Sequence, residues 1–108
     1  MSFSVETVAP FRKEAKKLVK KYPSLKKELA QLGDLLSKAP FTGTALGNNC
    51  HKIRLAIASK GKGKSGGARV ITHFYVENHT VFLLSIYDKS DKESIPLSEI
   101  RALLKLIR

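Results

Sequence analysis

Two alternating apolar and basic runs flank a segment rich in lysine and glycine. They read Lys52-Ile53-Arg54-Leu55-Ala56-Ile57, then Lys60-Gly61-Lys62-Gly63-Lys64-Ser65-Gly66-Gly67, then Ala68-Arg69-Val70-Ile71-Thr72-His73-Phe74. Successive side chains of a strand point to opposite faces. As the arms of a hairpin, the first run places Ile53, Leu55 and Ile57 on one face and Lys52 and Arg54 on the other. In the second, Val70, Phe74 and Val76 take the apolar side, while Arg69, His73 and Tyr75 face away. A register that joins the two polar faces gathers Lys52, Arg54, Arg69, His73 and Tyr75 on one wall. Such a set suits contacting and cleaving RNA.

Each residue type brings its own chemistry. Arg69 opens a strand just after a double glycine, and its planar fork of donors matches a phosphate that is changing geometry. Stabilising charge that develops in a transition state is a large catalytic contribution. The competing use of Arg69 is an ion pair with Glu77 or Asp88. His73 and Tyr75 are acid–base or base-stacking groups. Tyr87, before the Asp88-Lys89 corner, either anchors that corner by a hydrogen bond or stacks on a base.

The run Ala58-Ser59-Lys60-Gly61-Lys62-Gly63-Lys64-Ser65 has the loosest form of a nucleotide-binding P-loop. That motif needs a helix directly after the Lys-Ser to receive the phosphates. Here Gly66-Gly67 leads into the β-branched Val70-Ile71-Thr72, so the P-loop reading fails. Lys60, Lys62 and Lys64 on a mobile loop would instead track a sugar–phosphate chain. The plainer reading is a hairpin loop kept soluble by lysines.

The chain has 108 residues, enough for one domain spanning 1–108. Twenty Lys and Arg against nine Asp and Glu give a formal charge of +11, which calls for an acidic partner such as nucleic acid. The single cysteine, Cys50, cannot form an internal disulfide, which suits a reducing, cytoplasmic setting. Three histidines without zinc-ligand spacing argue against a metal site. The first residues lack the basic start and apolar stretch of a signal peptide. No run approaches the ~20 apolar residues of a membrane span. The expectation is a soluble protein with no membrane contact and no cofactor.

The elements that must position these groups follow from pattern. Phe3, Val5 and Val8 mark a short strand. Pro10 suits the first turn of a helix, and Phe11, Ala15, Leu18, Val19 and Tyr22 form its apolar stripe. Arg12, Lys13, Lys16, Lys17, Lys20 and Lys21 lie opposite, either as a solvated surface or as a footprint for ribosomal RNA. Pro23 ends this helix. Ser24 caps the next, whose stripe is Leu25, Leu29, Leu32 and Leu36. Phe41 to Asn49 reads as a connecting loop. After the hairpin, Glu77 to Thr80 is a turn, and Val81 to Tyr87 is an apolar run fit for a central strand. Asp88 to Ser94 is a charged loop, and Pro96 opens a last helix with Ile100, Leu103, Leu104 and Ile107 on one side. The order is βααβββα, an α+β domain with an antiparallel β-sheet, an N-terminal helical hairpin and a C-terminal helix.

These residues resemble the RelE/ParE superfamily of bacterial type II toxins, and most closely its HigB-like branch. The resemblance is sharpest over Lys52-Ile53-Arg54, Ser59 to Lys64, Gly66 to Ile71, and Leu83 to Lys89. It implies a ribosome-dependent, metal-independent endoribonuclease that cleaves mRNA in the A site and is restrained by a cognate antitoxin. The partners implied are therefore the antitoxin, the ribosome and mRNA.

Carried over by position, Lys52 and Arg54 match basic strand residues that hold RNA or move protons. Arg69 matches the arginine used near the scissile phosphate. Lys89, joined by Lys92, stands where relatives often have a second functional arginine; lysine offers a point charge instead of a fork. Ile95, Pro96 and Leu97 occupy the last segment, where well-studied members place a tyrosine. That role falls to Tyr87, Tyr75 or His73, or is vacant. The implied catalytic set is Lys52, Arg54, Arg69, His73 and Lys89; the implied RNA-binding set is Lys60, Lys62, Lys64, Tyr75, Tyr87 and Lys92. Two alternatives stay open: a ParE-like inhibitor that binds DNA gyrase, and a non-catalytic RNA-binding module. Fold alone does not separate them.

Overall fold

The computed structural model describes residues 2–61 and 63–107, with the side chains at 64 and 65 excepted. Strand β1 (Ser4–Thr7) leads into helices α1 (Ala9–Lys21) and α2 (Leu25–Lys38). Strands β2 (Thr44–Gly47), β3 (Cys50–Leu55), β4 (Ala68–Tyr75) and β5 (Thr80–Asp88) follow, and helix α4 (Leu97–Leu104) closes the fold. A single helical turn, α3 (Gly63–Gly66), sits between β3 and β4.

The five strands form one sheet in the order β1-β5-β4-β3-β2. The apolar run predicted to be central is indeed flanked on both sides: β5 pairs with β4 antiparallel and with β1 parallel. The α+β architecture is the expected one, with two differences. The sheet is mixed, because β1 runs parallel to β5. The segment expected to be a plain connection, Phe41 to Asn49, contains β2, which pairs with β3.

Helix stripes and sheet pattern meet as the sequence requires. Phe11, Leu25, Leu32 and Leu36 are buried, and Ala15, Leu18, Val19, Tyr22 and Leu29 pack against them. They cover the sheet face that carries Ile53, Val70 and Ile86, which are neighbours across the β3–β4–β5 ladders. Val76 does not join this face. It lies in a 3-10 turn after β4 and is 56% exposed, because the strand ends at Tyr75.

Two local details also differ. Ser24 stands before α2 in helical geometry and makes no capping bond; its hydroxyl bonds Glu28 and Ser59 instead. The residues after Gly61 do form a helical turn, yet it spans only Gly63–Gly66 and gives way to β4. No long helix receives a phosphate there. None of the described helices is long and apolar enough to cross a membrane.

Candidate nucleic-acid interface

The β3–β4 register sets the interface. Arg54 lies directly opposite Arg69, Lys52 opposite Ile71, and Cys50 opposite His73. Directly paired residues of an antiparallel ladder share a face. Lys52, Arg54, Arg69 and His73 therefore belong to the face turned away from α1 and α2. Across the next ladder, Arg69 opposes Tyr87 and Ile71 opposes Ser85, which adds Tyr87 to this face. A register shift between Ile71 and Thr72 follows, so His73 comes to oppose Phe82.

The shared face is not one open wall. Ile71 is fully buried within it, and Arg69 is only 4% exposed. Lys52, Ile71 and Tyr87 line a cavity of about 160 Å³ with Ile95, Leu97 and Ile100 from the start of α4. His73 and Tyr75 line a different cavity, of about 250 Å³, with Asn48 and Asn49 of the β2–β3 turn and with Leu104 and Ile107 from the far end of the last helix. The predicted groups thus fall into two clusters, one at each end of the last helix. Lys52 and Tyr87 belong to the first, which Arg69 joins as the ladder neighbour of Tyr87 and Arg54 as that of Arg69; Arg54 also borders a separate cavity with Glu28, Gln31 and Leu35 of α2. His73 and Tyr75 form the second.

In the first cluster the Arg69 Nη1 donates to the Ala68 carbonyl at 3.1 Å, which fixes the guanidinium at the strand start. Arg54 is exposed and Lys52 half-buried. The Tyr87 hydroxyl is buried and has no hydrogen-bond partner among the described residues. Burial raises its pKa, and the nearby positive charge of Arg69 opposes that rise. The Lys92 ammonium lies 5.3 Å from the Tyr87 ring centroid and 3.9 Å from Glu99. Lys89 is half-buried, 3.4 Å from Glu93.

In the second cluster His73 Nδ1 is 3.5 Å from the Cys50 thiol. Burial pushes that thiol up to about 11, so it is a neutral packing group at ordinary pH. The Tyr75 hydroxyl donates to Glu77 at 3.2 Å.

Lys60 departs most from expectation. It was expected on a mobile loop, facing RNA; its side chain is 8% exposed and its ammonium is paired with the Asp88 carboxylate. Asp88 is thus taken by Lys60, with Tyr22 and Ser90 as further donors. The corner at Asp88 is anchored by the Tyr22 hydroxyl and not by Tyr87. Burial would raise the Asp88 pKa, but hydrogen bonds from Lys60, Ser90 and Tyr22 outweigh it and hold the carboxyl well below the usual range. Of the other loop lysines, Lys62 and the side chain of Lys64 lie outside the described residues.

Asp88 and Tyr22 are the residues that sequence reasoning missed here. One signal was present: a carboxylate closing an apolar run such as Val81 to Tyr87 must be buried with a cation if the run is central.

The comparisons agree with this architecture. The model of a family described as the RelE toxin of the RelE/RelB toxin–antitoxin system matches residues 10–107. Among solved structures, a free E. coli RelE toxin with two arginines replaced by alanine superposes with a TM-score of 0.66 at 18% identity, covering 100% of both chains. The RelBE2 toxin–antitoxin complex of Mycobacterium tuberculosis gives 0.56 at 19% identity, covering 84% of this chain and 95% of that one. The isolated E. coli RelE toxin gives 0.53 at 19% identity, covering 96% and 98%.

Proposed function

We propose, from the premise that this chain belongs to the RelE toxin family, that it is a ribosome-dependent, metal-independent endoribonuclease that cuts mRNA in the A site. The chain is a RelE-family toxin of a type II toxin–antitoxin system. Its placement in the HigB-like branch is a proposal resting on the motifs between Ser59 and Ile71 and between Leu83 and Lys89. A cognate antitoxin is the proposed protein partner, by likeness to a fold known in a toxin–antitoxin complex and by the chain's +11 charge.

The observation that carries the reading is the direct pairing of Arg54 with Arg69, with Lys52 two residues along the same face. Cations from two neighbouring strands confront one anionic site. In the proposed reaction the RNA 2′-oxygen attacks the adjacent phosphorus as the bond to the 5′-oxygen breaks. Lys52, which accepts a proton only as the neutral amine, takes the 2′-hydroxyl proton in that form and returns it to the leaving 5′-oxygen. Arg69 and Arg54 stabilise the charge that builds on the phosphoryl oxygens, and Lys89, whose amide bonds the Gly67 carbonyl two residues before Arg69, adds to it. The products are a 2′,3′-cyclic phosphate and a 5′-hydroxyl, the leaving oxygen gaining a proton. His73 lines the other cavity and is left out of the chemistry. The ribosome supplies alignment, which is a large part of such a step, so free RNA is a poor substrate.

The test is to express the chain and its Arg69→Ala and Arg54→Ala variants and map RNA 5′ ends in the cell. New 5′-hydroxyl ends inside codons that vanish with both substitutions support the reading. Growth arrest with intact transcripts and damaged DNA points to gyrase and overturns it.

A further inference from the structure

Lys60 and Asp88 stand 28 positions apart in sequence and are both almost fully buried. Asp88 ends β5 on the helix-covered face, opposite Ala68. One carboxylate oxygen accepts from the Lys60 ammonium, the Ser90 amide at 2.9 Å and the Ser90 hydroxyl at 2.6 Å. The other accepts from the Tyr22 hydroxyl at 2.9 Å. Lys60 also donates to the Ser90 hydroxyl at 3.1 Å, and its ammonium lies 5.6 Å from the Tyr22 ring centroid.

A second tie lies at the far end of the same connection, where the Lys89 amide donates to the Gly67 carbonyl at 3.0 Å. The β3–β4 connection is therefore fastened to the end of β5 twice, once on entering at Lys60 and once on leaving at Gly67. The helical hairpin holds the entry as well. Glu28 accepts from the Ala58 amide at 2.7 Å, and the Ser24 hydroxyl accepts from the Ser59 amide at 2.9 Å.

A loop that only needs to be soluble requires none of these ties. Burying an ammonium and a carboxylate is costly unless each finds fixed partners, and its return is often a single geometry instead of stability. The geometry fixed here is that of two strand ends. Arg69 is the second residue after Gly67, and Tyr87 and Lys89 flank Asp88. We infer that the Lys60–Asp88 ion pair, buttressed by Tyr22, is a positioning clasp that sets Arg69 and Lys89 relative to each other, and that Lys60 is not an RNA contact. The catalytic half of this inference rests on the nuclease reading above.

The experiment is a double-mutant cycle of Lys60→Met and Asp88→Asn, with Tyr22→Phe as the mildest variant. The full-length chain is made by cell-free synthesis and assayed on ribosomes programmed with mRNA. Each single substitution should lower kcat by about tenfold to a hundredfold with KM little changed, as misplacement of a reacting group does. The double variant should be no worse than the poorer single, because two members of one unit are not additive. Amide hydrogen exchange should rise over residues 58–69 and stay unchanged in β5 before Ile86. Tyr22→Phe should show the same pattern at smaller amplitude, so the clasp is tested even if Asp88→Asn does not fold.

A rise in KM with kcat intact would make Lys60 an RNA contact and overturn the inference. Multiplying effects, or exchange in Tyr22→Phe equal to that of the parent chain, would overturn it too. If the parent chain cleaves no RNA, the nuclease reading falls while the exchange measurements still decide whether the clasp exists.

Discussion

Arg54 and Arg69 face each other directly across the β3–β4 ladder, one exposed and the other 4% exposed. Like charges placed opposite each other in a sheet are destabilising. In the proposed nuclease reaction an anion comes between them. Arg54→Gln should therefore raise the unfolding free energy by a few tenths of a kcal/mol to about 1 kcal/mol, and also lower RNA cleavage. Urea denaturation paired with the ribosome assay checks this. A variant both less stable and fully active would remove the reason for treating the pair as functional.

The Lys60–Asp88 pair has the opposite sign. Removing one partner of a buried ion pair leaves the other uncompensated, at a cost of about 3–5 kcal/mol. Asp88→Ala should lose that much, since Lys60, Ser90 and Tyr22 all donate to it. The exposed pair of Lys17 and Glu14, 3.7 Å apart, supplies the control: Glu14→Ala should change stability by less than about 1 kcal/mol. Equal effects at the two sites would show that Asp88 is not buried in solution.

The pH dependence follows from the same carboxylate. Burial works to raise the Asp88 pKa, but the bonds from Lys60, Ser90 and Tyr22 prevail and hold it below its unfolded value. A group of that kind binds its proton more readily in the unfolded chain. Its stabilisation is complete well above the unfolded value of about 4 and is lost as pH falls through and below it. Urea midpoints should thus differ little between pH 7 and pH 5 on account of Asp88, and drop steeply toward pH 3. In Asp88→Asn the acid drop should be shallower. An unchanged acid limb in that variant would mean that other carboxylates carry it.

How much of this was legible beforehand depends on the kind of signal. Period-two alternation placed Lys52, Arg54 and Arg69 on one face, and the ladder agrees. Helical spacing likewise marked Phe11, Leu25, Leu32 and Leu36 for the core. Strand β2 was illegible because Thr44–Gly47 buries little, so no apolar pattern separates it from a loop. The parallel pairing of β1 with β5 depends on where the helical hairpin returns the chain, which no local pattern encodes. Lys60 looked like its neighbours Lys62 and Lys64. Only the tertiary approach of Asp88 distinguishes it, and that approach joins the β3–β4 connection to the end of β5, 28 positions away in sequence.

Glycine at 67 is imposed by a close approach. A Cβ built there would sit 2.0 Å from the Leu55 carbonyl oxygen, and that oxygen belongs to backbone that cannot step aside cheaply. Gly67→Ala should cost on the order of 1–3 kcal/mol, the range for overpacking, and should disturb Arg69 two residues on. Gly61 makes a useful contrast, because none of the described residues comes within 4 Å of its Cβ position and its φ of +76° is what resists a side chain. Gly61→Ala should cost about 1 kcal/mol, the left-handed penalty alone. Unfolding midpoints of the two variants measure the difference.

The Tyr87 hydroxyl separates stability from activity most sharply. It is buried beside Arg69 and hydrogen-bonds to none of the described residues. A buried polar atom left without a partner costs about 1–3 kcal/mol, and deleting it removes that cost. Tyr87→Phe keeps the ring that Lys92 approaches and should be as stable as the parent chain or more so, by up to about 1 kcal/mol. If the hydroxyl is kept to meet RNA at the cavity shared with Lys52, the same variant should cleave more slowly while unfolding later. Ribosome-dependent cleavage and thermal unfolding of Tyr87→Phe decide the matter together. A variant that gains stability and keeps full activity would leave the hydroxyl without a role in the chemistry, and the first cluster would then act through Lys52, Arg54 and Arg69 alone.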